Sequence, residues 1–246
     1  MITVVVPSFR GASHLGRLLF RLLPVLDDLS GELVLVDDCS NDDTWKVMKA
    51  AAVKHPAVRC VRLKVHSGQQ TATLAGCAVA RGSWIVTLDD DLEHDPVNIK
   101  RLLARGDEGF DLVYAVPKTR LVPDGPPAYV RRAGSVLFGL ALCLFLHKPW
   151  GLKLTSFRVI RKDLMSRMLS TGARCIYISA LALLQRPRIA SIIVEPGPRV
   201  PSRTTFRRLI KTFAQTLLAY GPWGGLRCKA KVSTLLPIAE ICEGRS

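Results

Sequence analysis

Three consecutive aspartates, Asp89 to Asp91, directly follow the apolar run 84–88, and Glu93 lies two residues further along the chain. Carboxylates grouped this closely repel one another unless a cation lies among them or some of them are protonated. Mg²⁺ and Mn²⁺ take oxygen ligands of this kind and share their coordination shell with substrate phosphates. An isolated acidic triplet is more often a solvated loop or a helix cap. The position at the end of a strand favours a site, because open α/β sheets bind ligands there.

The elements that position these aspartates alternate regularly over the first 115 residues. Short apolar runs rich in Val, Ile and Leu predict strands, and amphipathic stretches between them predict helices. The strands are predicted at 2–6, 33–36, 58–63, 84–88 and 111–115, and the helices at 13–29, 43–54, 70–81 and 96–105. Strand and helix repeated in this order predict an α/β fold with a mainly parallel, doubly wound sheet.

Two further strand ends fall on the same edge of that sheet. Pro7 and Phe9 follow the first strand, and Asp38 follows the second. An aspartate at the second position can accept hydrogen bonds from a nucleobase or a ribose, although it can equally form a turn or a helix cap. The sequence contains neither GxGxxG after the first strand nor GxxxxGK[ST], so a bound diphosphate needs another partner. The metal cluster at Asp89 and Asp91 would supply it.

The second half of the chain is less regular and strongly basic. Residues 1–99 contain 10 Lys and Arg against 12 Asp and Glu, whereas residues 100–246 contain 25 against 8. Such a surplus suits a polyanion, whether nucleic acid, lipid phosphate or an anionic membrane face. The predicted elements are a loop at 117–127, helices at 129–147, 161–170, 175–186 and 203–220, and strands at 154–160 and 188–194. We predict a nucleotide-binding half at 1–115, an acceptor-binding part at 116–220 and a tail at 221–246.

The cellular setting is predicted from cysteines and hydropathy. Seven scattered cysteines without CxxC or zinc spacing indicate reduced thiols in a cytoplasmic protein. The sequence shows no signal peptide and no stretch long enough to span a bilayer. The longest apolar run, 136–146, is either a core helix or an element lying at the membrane interface.

The strand-end motifs together resemble family 2 glycosyltransferases of the GT-A fold, and more narrowly the polyprenyl-phosphate branch that includes dolichyl-phosphate mannose synthase. The resemblance is strongest at Val4-Val5-Val6-Pro7-Ser8-Phe9, Val36-Asp37-Asp38-Cys39-Ser40 and Asp89-Asp90-Asp91-Leu92-Glu93-His94-Asp95-Pro96. It continues more faintly through 66–82, 129–132, 156–158 and 199–204.

The resemblance implies a role for each matching position. The nucleotide contacts are Pro7, Phe9, Asp38 and Asp89. The metal ligands are Asp89, Asp91 and Glu93, with Mg²⁺ or Mn²⁺ as the cofactor. The cations facing the donor diphosphate or the acceptor phosphate are Arg131, Arg158, Arg199 and Arg203. Asp89, Asp91, Arg131 and Arg158 are thus the predicted catalytic residues, and planar arginine is well matched to phosphate.

The implied activity is transfer of a sugar from a UDP- or GDP-sugar to a polyprenyl phosphate, with inversion and with a divalent metal. The implied location is peripheral, at the inner face of the membrane. An acceptor hydroxyl in cell-surface polysaccharide synthesis is the alternative, and it would need a base, for which His94 and Asp95 are candidates. A nucleic-acid-binding protein is disfavoured, because only 7% of residues are aromatic and no nucleic-acid-binding signature occurs. A transferase that binds nucleotide without turnover is a further alternative.

The sequence departs from the family pattern at several positions. The family's Asn-Glu after the first strand is Arg10-Gly11 here, which removes one acidic contact near the nucleotide. Asp90 stands at the alanine of the family's Asp-Ala-Asp motif, and Glu93 stands at the glutamine that follows it. The Lys-Tyr pair of the family's C-terminal motif is Arg203-Thr204 here. From the sequence given we expect no counterpart of the C-terminal transmembrane hairpin of many relatives.

Overall fold

A mixed β-sheet with helices on both faces organises the protein. The computed structural model describes residues 1–118, 148–171, 177–195 and 232–243. Within these ranges the strands are β1 (Ile2–Ser8), β2 (Glu32–Asp37), β3 (Val58–Leu63), β4 (Trp84–Thr87), β5 (Leu112–Pro117), β6 (Arg158–Arg161), β7 (Ile189–Val194) and β8 (Ile238–Glu243). They form one sheet in the order β7-β5-β6-β4-β1-β2-β3-β8.

The centre of the sheet is parallel, as the sequence predicts. β1 pairs in parallel with β2 on one side and with β4 on the other, and β2 pairs in parallel with β3. Every residue of β1 is buried, as expected for a strand covered by helices on both faces. The carboxyl ends of β1, β2 and β4 therefore share one edge. β6 runs antiparallel between β4 and β5, so its first residue lies at that same edge.

The helices pack on the sheet through apolar faces. Their bounds are α1 (Leu15–Asp28), α2 (Thr44–Lys54), α3 (Gln69–Val79), α4 (Ile99–Asp107), α5 (Lys162–Ser170) and α6 (Ile178–Leu184), with a short 3-10 helix at Pro96–Asn98 before α4. Two buried apolar clusters, one on each face of the sheet, form the core. Within the described ranges, none of the helices has both the length and the hydropathy to span a bilayer.

The second half differs from the predicted elements in detail. The strand predicted over 154–160 begins only at Arg158, and the helix predicted over 175–186 is confined to Ile178–Leu184 among the described residues. The predicted helices at 129–147 and 203–220, including the apolar run 136–146, lie outside the described residues.

One strand was not predicted at all. β8 comes from the segment interpreted as a tail and pairs antiparallel with β3 at the edge of the sheet. Glu243 Oε1 accepts contacts from Arg59 Nη2 at 3.0 Å and from Arg81 Nη2 at 2.7 Å. Arg59 is buried and also lies 3.6 Å from Glu32 Oε2. This ion-pair network ties β8 to the parallel centre of the sheet.

Two helical glycines give a matched test of the packing between helices and sheet. A Cβ atom added at Gly76 in α3 would lie 2.4 Å from Val5 Cγ1 and 2.7 Å from Val36 Cγ2, whereas one at Gly16 in α1 would meet nothing within 4 Å. Gly76→Ala should lower the free energy of unfolding by about 1–3 kcal/mol through overpacking. Gly16→Ala should raise it by about 0.5 kcal/mol, because alanine restricts the unfolded chain. Urea denaturation of both variants measures the two effects, and equal shifts would contradict the close contact at Gly76.

Candidate functional site

A small cleft lies at the sheet edge where the carboxyl ends of β1 and β4 meet the start of β6. Its walls come from these strand ends, from the first turns of α3 and from the segment before β6. The lining residues are Pro7, Gln69, Gln70, Thr73, Thr87, Leu88, Asp89, Ser156 and Arg158. The fold therefore brings together three predicted site residues that are far apart in sequence, namely Pro7, Asp89 and Arg158.

Asp89 is the acid of this cleft. Gln69 Nε2 donates to its Oδ1 at 2.5 Å, and Ser156 Oγ donates to its Oδ2 at 2.5 Å. Burial raises the pKa of Asp89 to about 6, and the nearby charges of Asp91 and Asp90 act in the same direction, while the two hydrogen bonds oppose them. The ionised form is thus held in place by two neutral donors but is not neutralised by a cation among the described residues.

Arg158 is the cation of the cleft, and its side chain is buried. The residue is 3% exposed. Its Nε donates to Thr87 Oγ1 at 3.2 Å and its Nη1 donates to Ser179 Oγ at 2.9 Å. The guanidinium carbon also lies 5.9 Å from the ring centroid of Tyr114. Among the described residues, no carboxylate lies within ion-pair distance of Arg158. A buried guanidinium fixed by hydroxyl groups is suited to an anion that enters the cleft.

The acidic turn after β4 offers oxygen ligands for a divalent cation. Repulsion from Asp91 contributes to the raised pKa of Asp89, so the two carboxylates are close enough to interact. Asp91 Oδ1 also accepts a hydrogen bond from the backbone N–H of Glu93 at 3.0 Å. In the part of the chain that the structure describes, no three acidic, histidine or cysteine side chains converge as a metal site. Mg²⁺ characteristically takes one or two carboxylates plus substrate phosphates, so Asp89 and Asp91 fit such an ion. Glu93 as a third ligand stays a prediction.

Asp38 anchors the loop that leads into α3. Its Oδ1 accepts from the N–H of Ser67 at 2.7 Å and its Oδ2 accepts from the N–H of Gly68 at 2.8 Å. His66 Nδ1 lies 2.9 Å from the same carboxylate. Burial raises the pKa of Asp38, while these hydrogen bonds and His66 oppose the effect. The structure shows that Asp38 orders a neighbouring loop, and its predicted contact with a nucleotide stays a prediction.

Phe9 presents an aromatic surface beside this loop. The ring is partly exposed, and its centroid lies 4.1 Å from the ring centroid of His66. The guanidinium carbon of Arg10 lies 5.2 Å from the centroid of the Phe9 ring. Flat rings of this kind provide a stacking surface for a base. The predicted contact between Phe9 and a nucleobase stays a prediction.

Asp90 points to a different set of partners from those of Asp89. Its Oδ2 accepts from Ser8 Oγ at 2.5 Å and lies 3.0 Å from His14 Nε2. Ser8 ends β1, and His14 directly precedes α1. Asp90 therefore connects the acidic turn to the loop after β1.

The two candidate bases differ, because Asp95 has hydrogen-bonding partners whereas the buried Nδ1 of His94 has none among the described residues. Asp95 caps the short 3-10 helix by accepting from the N–H of Val97, and Arg21 Nη2 lies 3.0 Å from its other oxygen. His94 is buried, with its ring 5.2 Å from that of Phe157. Burial lowers the pKa of His94, while Asp91 opposes the shift. These contacts leave Asp95 poorly placed to accept a proton from a substrate.

Some site residues were missed, and others cannot be placed. Gln69 and Ser156, which hold Asp89, were not predicted, because neutral polar residues at element ends also serve as caps and turns. The available signals were position, since both fall beside element ends at the functional edge, and the fainter resemblance, whose segments 66–82 and 156–158 include them. The predicted phosphate contacts Arg131, Arg199 and Arg203 lie outside the described residues.

Comparison with known proteins decides the family. The family model described as glycosyl transferase family 2 matches residues 3–169. The chain belongs to glycosyl transferase family 2. The family 2 chain is 30% identical over 214 residues to undecaprenyl-phosphate 4-deoxy-4-formamido-L-arabinose transferases from Salmonella choleraesuis and Salmonella newport. The match covers 85% of this chain and 64% of each relative, so the chain spans less than two thirds of their length.

The fold of the family 2 chain also has close counterparts among solved structures. Glucosyl-3-phosphoglycerate synthase from Mycobacterium tuberculosis, solved with Mn²⁺, uridine diphosphate and phosphoglyceric acid, superposes with a TM-score of 0.66 at 22% identity. The superposition covers 89% of this chain and 77% of the other. These comparisons confirm the predicted family and the predicted GT-A fold.

Proposed function

We propose that the protein is an inverting, metal-dependent glycosyltransferase that moves a sugar from a nucleotide diphosphate to a polyprenyl phosphate. The observation that carries the proposal is the pairing of two groups in one cleft. Asp89 is a carboxylate held by neutral donors, and Arg158 is a buried cation without a carboxylate partner among the described residues. A cation-bound diphosphate would complement both.

The donor would bind along the edge formed by β1, β2 and β4. Phe9 offers its exposed ring to the base. Asp38 is buried and contacts Ser67, Gly68 and His66, so about one of the four lone-pair sites of its carboxylate is left for the nucleotide. Asp89 and Asp91 would hold the divalent cation, which when bound neutralises the charge of the departing diphosphate. Arg158 would donate to a phosphate oxygen from a fixed orientation, so little reorganisation accompanies the reaction.

The chemistry is a single displacement. An acceptor phosphate oxygen attacks the anomeric carbon, the bond from that carbon to the diphosphate oxygen breaks, and the nucleoside diphosphate leaves with the electron pair. One such displacement inverts the configuration at the anomeric carbon. A lipid phosphate is already ionised near neutral pH, so this route needs no general base.

The alternative acceptor is a sugar hydroxyl, which requires a base within hydrogen-bond reach. Asp95 is occupied by a helix cap and Arg21, and His94 is packed against Phe157. The contacts of Asp95 support the phosphate acceptor over the hydroxyl, because they occupy one of the two candidate bases. The relatives named as undecaprenyl-phosphate transferases support it as well. The basic second half suits peripheral binding at the inner, anionic face of a membrane.

The test is transfer of label from nucleotide sugars to lipid. The full chain is incubated with radiolabelled UDP- and GDP-sugars, undecaprenyl or dolichyl phosphate in detergent, and Mg²⁺, Mn²⁺ or EDTA. We expect metal-dependent movement of label into the organic phase. Label found only in polar glycans would overturn the lipid acceptor, and full activity in EDTA would overturn the metal requirement. Salt-sensitive flotation with anionic liposomes separately tests the membrane association.

The matched variant for the metal site is Asp91→Ala. We expect it to remove both sugar transfer and the metal dependence of nucleotide binding. Asp107→Ala is the control, because Asp107 is exposed at the end of α4, at the opposite edge of the sheet. Intact metal-dependent binding in the Asp91 variant would contradict the assignment of this carboxylate.

A further inference from the structure

Gly11 and Asp90 meet in space beside the proposed donor site. These positions are 79 residues apart in sequence. A Cβ atom built on Gly11 would nevertheless lie 2.9 Å from Asp90 Oδ2. The carboxylate of Asp90 therefore borders the volume that a side chain at position 11 would fill.

Three side chains converge on that volume. The same Cβ atom would lie 2.0 Å from Ser8 Oγ and 3.3 Å from His14 Nε2. Ser8 donates to Asp90 Oδ2 at 2.5 Å, and His14 Nε2 lies 3.0 Å from the same oxygen. Position 11 must be glycine as long as this network is present, because any larger residue would displace Ser8 from Asp90.

The network joins two loops that carry the proposed donor site. Ser8 and His14 border the loop after β1, which carries Phe9. Asp90 belongs to the turn that carries Asp89 and Asp91. The opposite side of the β1–α1 loop is already fixed, because the N–H of Arg10 donates to Ser40 Oγ at 2.9 Å and the N–H of Gly11 donates to Thr44 Oγ1 at 2.8 Å. Asp90 is the link from this loop to the acidic turn.

We propose that Asp90 is a positioning residue whose carboxylate, from the acidic turn, occupies the volume that a side chain at position 11 would otherwise fill. Its carboxylate holds Ser8 and His14 and so sets the distance between Phe9, at the base end of the donor, and Asp89, at the diphosphate end. Asp90 contacts neither the metal nor the substrate. This role rests on the proposed function, since the distance that it sets matters for a nucleotide diphosphate.

The proposal predicts a split between binding and turnover. Asp90→Ala should raise KM for the donor, and the Kd for the nucleoside diphosphate, by about tenfold, while kcat stays within about threefold of the unmodified protein. Asp90→Asn should retain most of the affinity, because the amide oxygen still accepts from Ser8. Equal losses for the alanine and asparagine variants would overturn the hydrogen-bonded role.

The decisive experiment exchanges the two positions. Gly11→Glu, Asp90→Ala and the double variant are compared by nucleoside-diphosphate titration with Mn²⁺ and by thermal unfolding, with Asp107→Ala as the surface control. Gly11→Glu alone should bind worse than Asp90→Ala, since the new side chain meets Ser8 and the Asp90 charge. The double variant should bind better than Gly11→Glu, with an affinity within about threefold of the unmodified protein. Additive losses in the double variant would overturn the proposal.

Failure of the proposed function has a different signature. If the unmodified protein binds neither UDP nor GDP with metal, the donor assignment is wrong. The role of Asp90 at the donor site is then overturned too, although non-additive thermal unfolding would still report the contact between positions 11 and 90. If the unmodified protein binds nucleotide and the exchange gives no recovery, only the role of Asp90 is wrong.

Discussion

Asp89→Asn should abolish sugar transfer and yet make the metal-free protein more stable at neutral pH. The substitution keeps the shape of the side chain, and the amide can still accept from Gln69 and donate to Ser156 Oγ. It removes the charge that would hold the cation and the donor diphosphate. We expect a fall in kcat/KM of at least about a hundredfold, the size typical of a lost electrostatic contact at a reacting centre.

The gain in stability follows from the pKa of Asp89. Burial and neighbouring carboxylates raise the pKa from 3.8 to about 6, so the folded protein pays for keeping this group ionised. Such a shift corresponds to about 3 kcal/mol at most, and solvent screening of a partly exposed carboxyl reduces it to about 1–2 kcal/mol. A raised folded-state pKa favours folding at low pH, and that advantage is lost as the pH rises through about 6.

The variant should therefore be more stable than the unmodified protein at about pH 7.5, and the difference should shrink towards about pH 4.5. Urea denaturation in EDTA at both pH values measures it, with Asp107→Asn as the exposed control. Addition of Mn²⁺ and nucleoside diphosphate should stabilise the unmodified protein and not the variant, because ligands stabilise only the state that binds them. A variant that is less stable at both pH values would contradict the electrostatic account.

Arg158→Lys should lower kcat/KM by about a hundredfold to a thousandfold, although the charge is retained. The guanidinium is oriented by Thr87 and Ser179 and lies over the ring of Tyr114. Lysine lacks the planar guanidinium group, whose several N–H donors can make these contacts and bind a phosphate at the same time. Inhibition by free diphosphate should weaken in parallel, which separates loss of anion binding from general damage.

Arg161→Lys is the control for this prediction. Arg161 ends the same strand, is partly exposed, lies 3.6 Å from Asp111 and packs over Trp84 at the opposite edge of the sheet. Its kcat/KM should change by less than about twofold, as expected for a surface ion pair far from the cleft. Equal losses of kcat/KM in the two variants would contradict the assignment of Arg158 to the site.

The local pattern of apolar residues was sufficient to predict the parallel centre of the fold. The predicted strands from 2–6 to 111–115 match β1 to β5 within about two residues, because buried parallel strands form continuous apolar runs. β8 was missed because four of its six residues are exposed and its partner β3 is distant in sequence. Pairing of that kind is set by tertiary contacts and leaves only a weak local signal.

The site was predicted in outline and missed in its connections. Strand ends and the family resemblance were enough to select Pro7, Asp89 and Arg158, which share one cleft. The sequence did not show that the side chains of Asp89 and Asp90 point towards different partners. Asp89 faces Gln69 and Ser156, whereas Asp90 faces Ser8 and His14, and this divergence depends on the backbone path of the turn.

The pairing of β8 with β3 has a consequence for synthesis. β8 begins roughly 175 residues after β3 ends. At a translation rate of about 5–20 residues per second, the edge of β3 stays without its partner for on the order of ten to thirty seconds. During that interval the nascent sheet exposes unpaired N–H and C=O groups beside an apolar strand, which invites pairing with other chains. Soluble yield should therefore depend on chaperones that hold this edge until β8 leaves the ribosome.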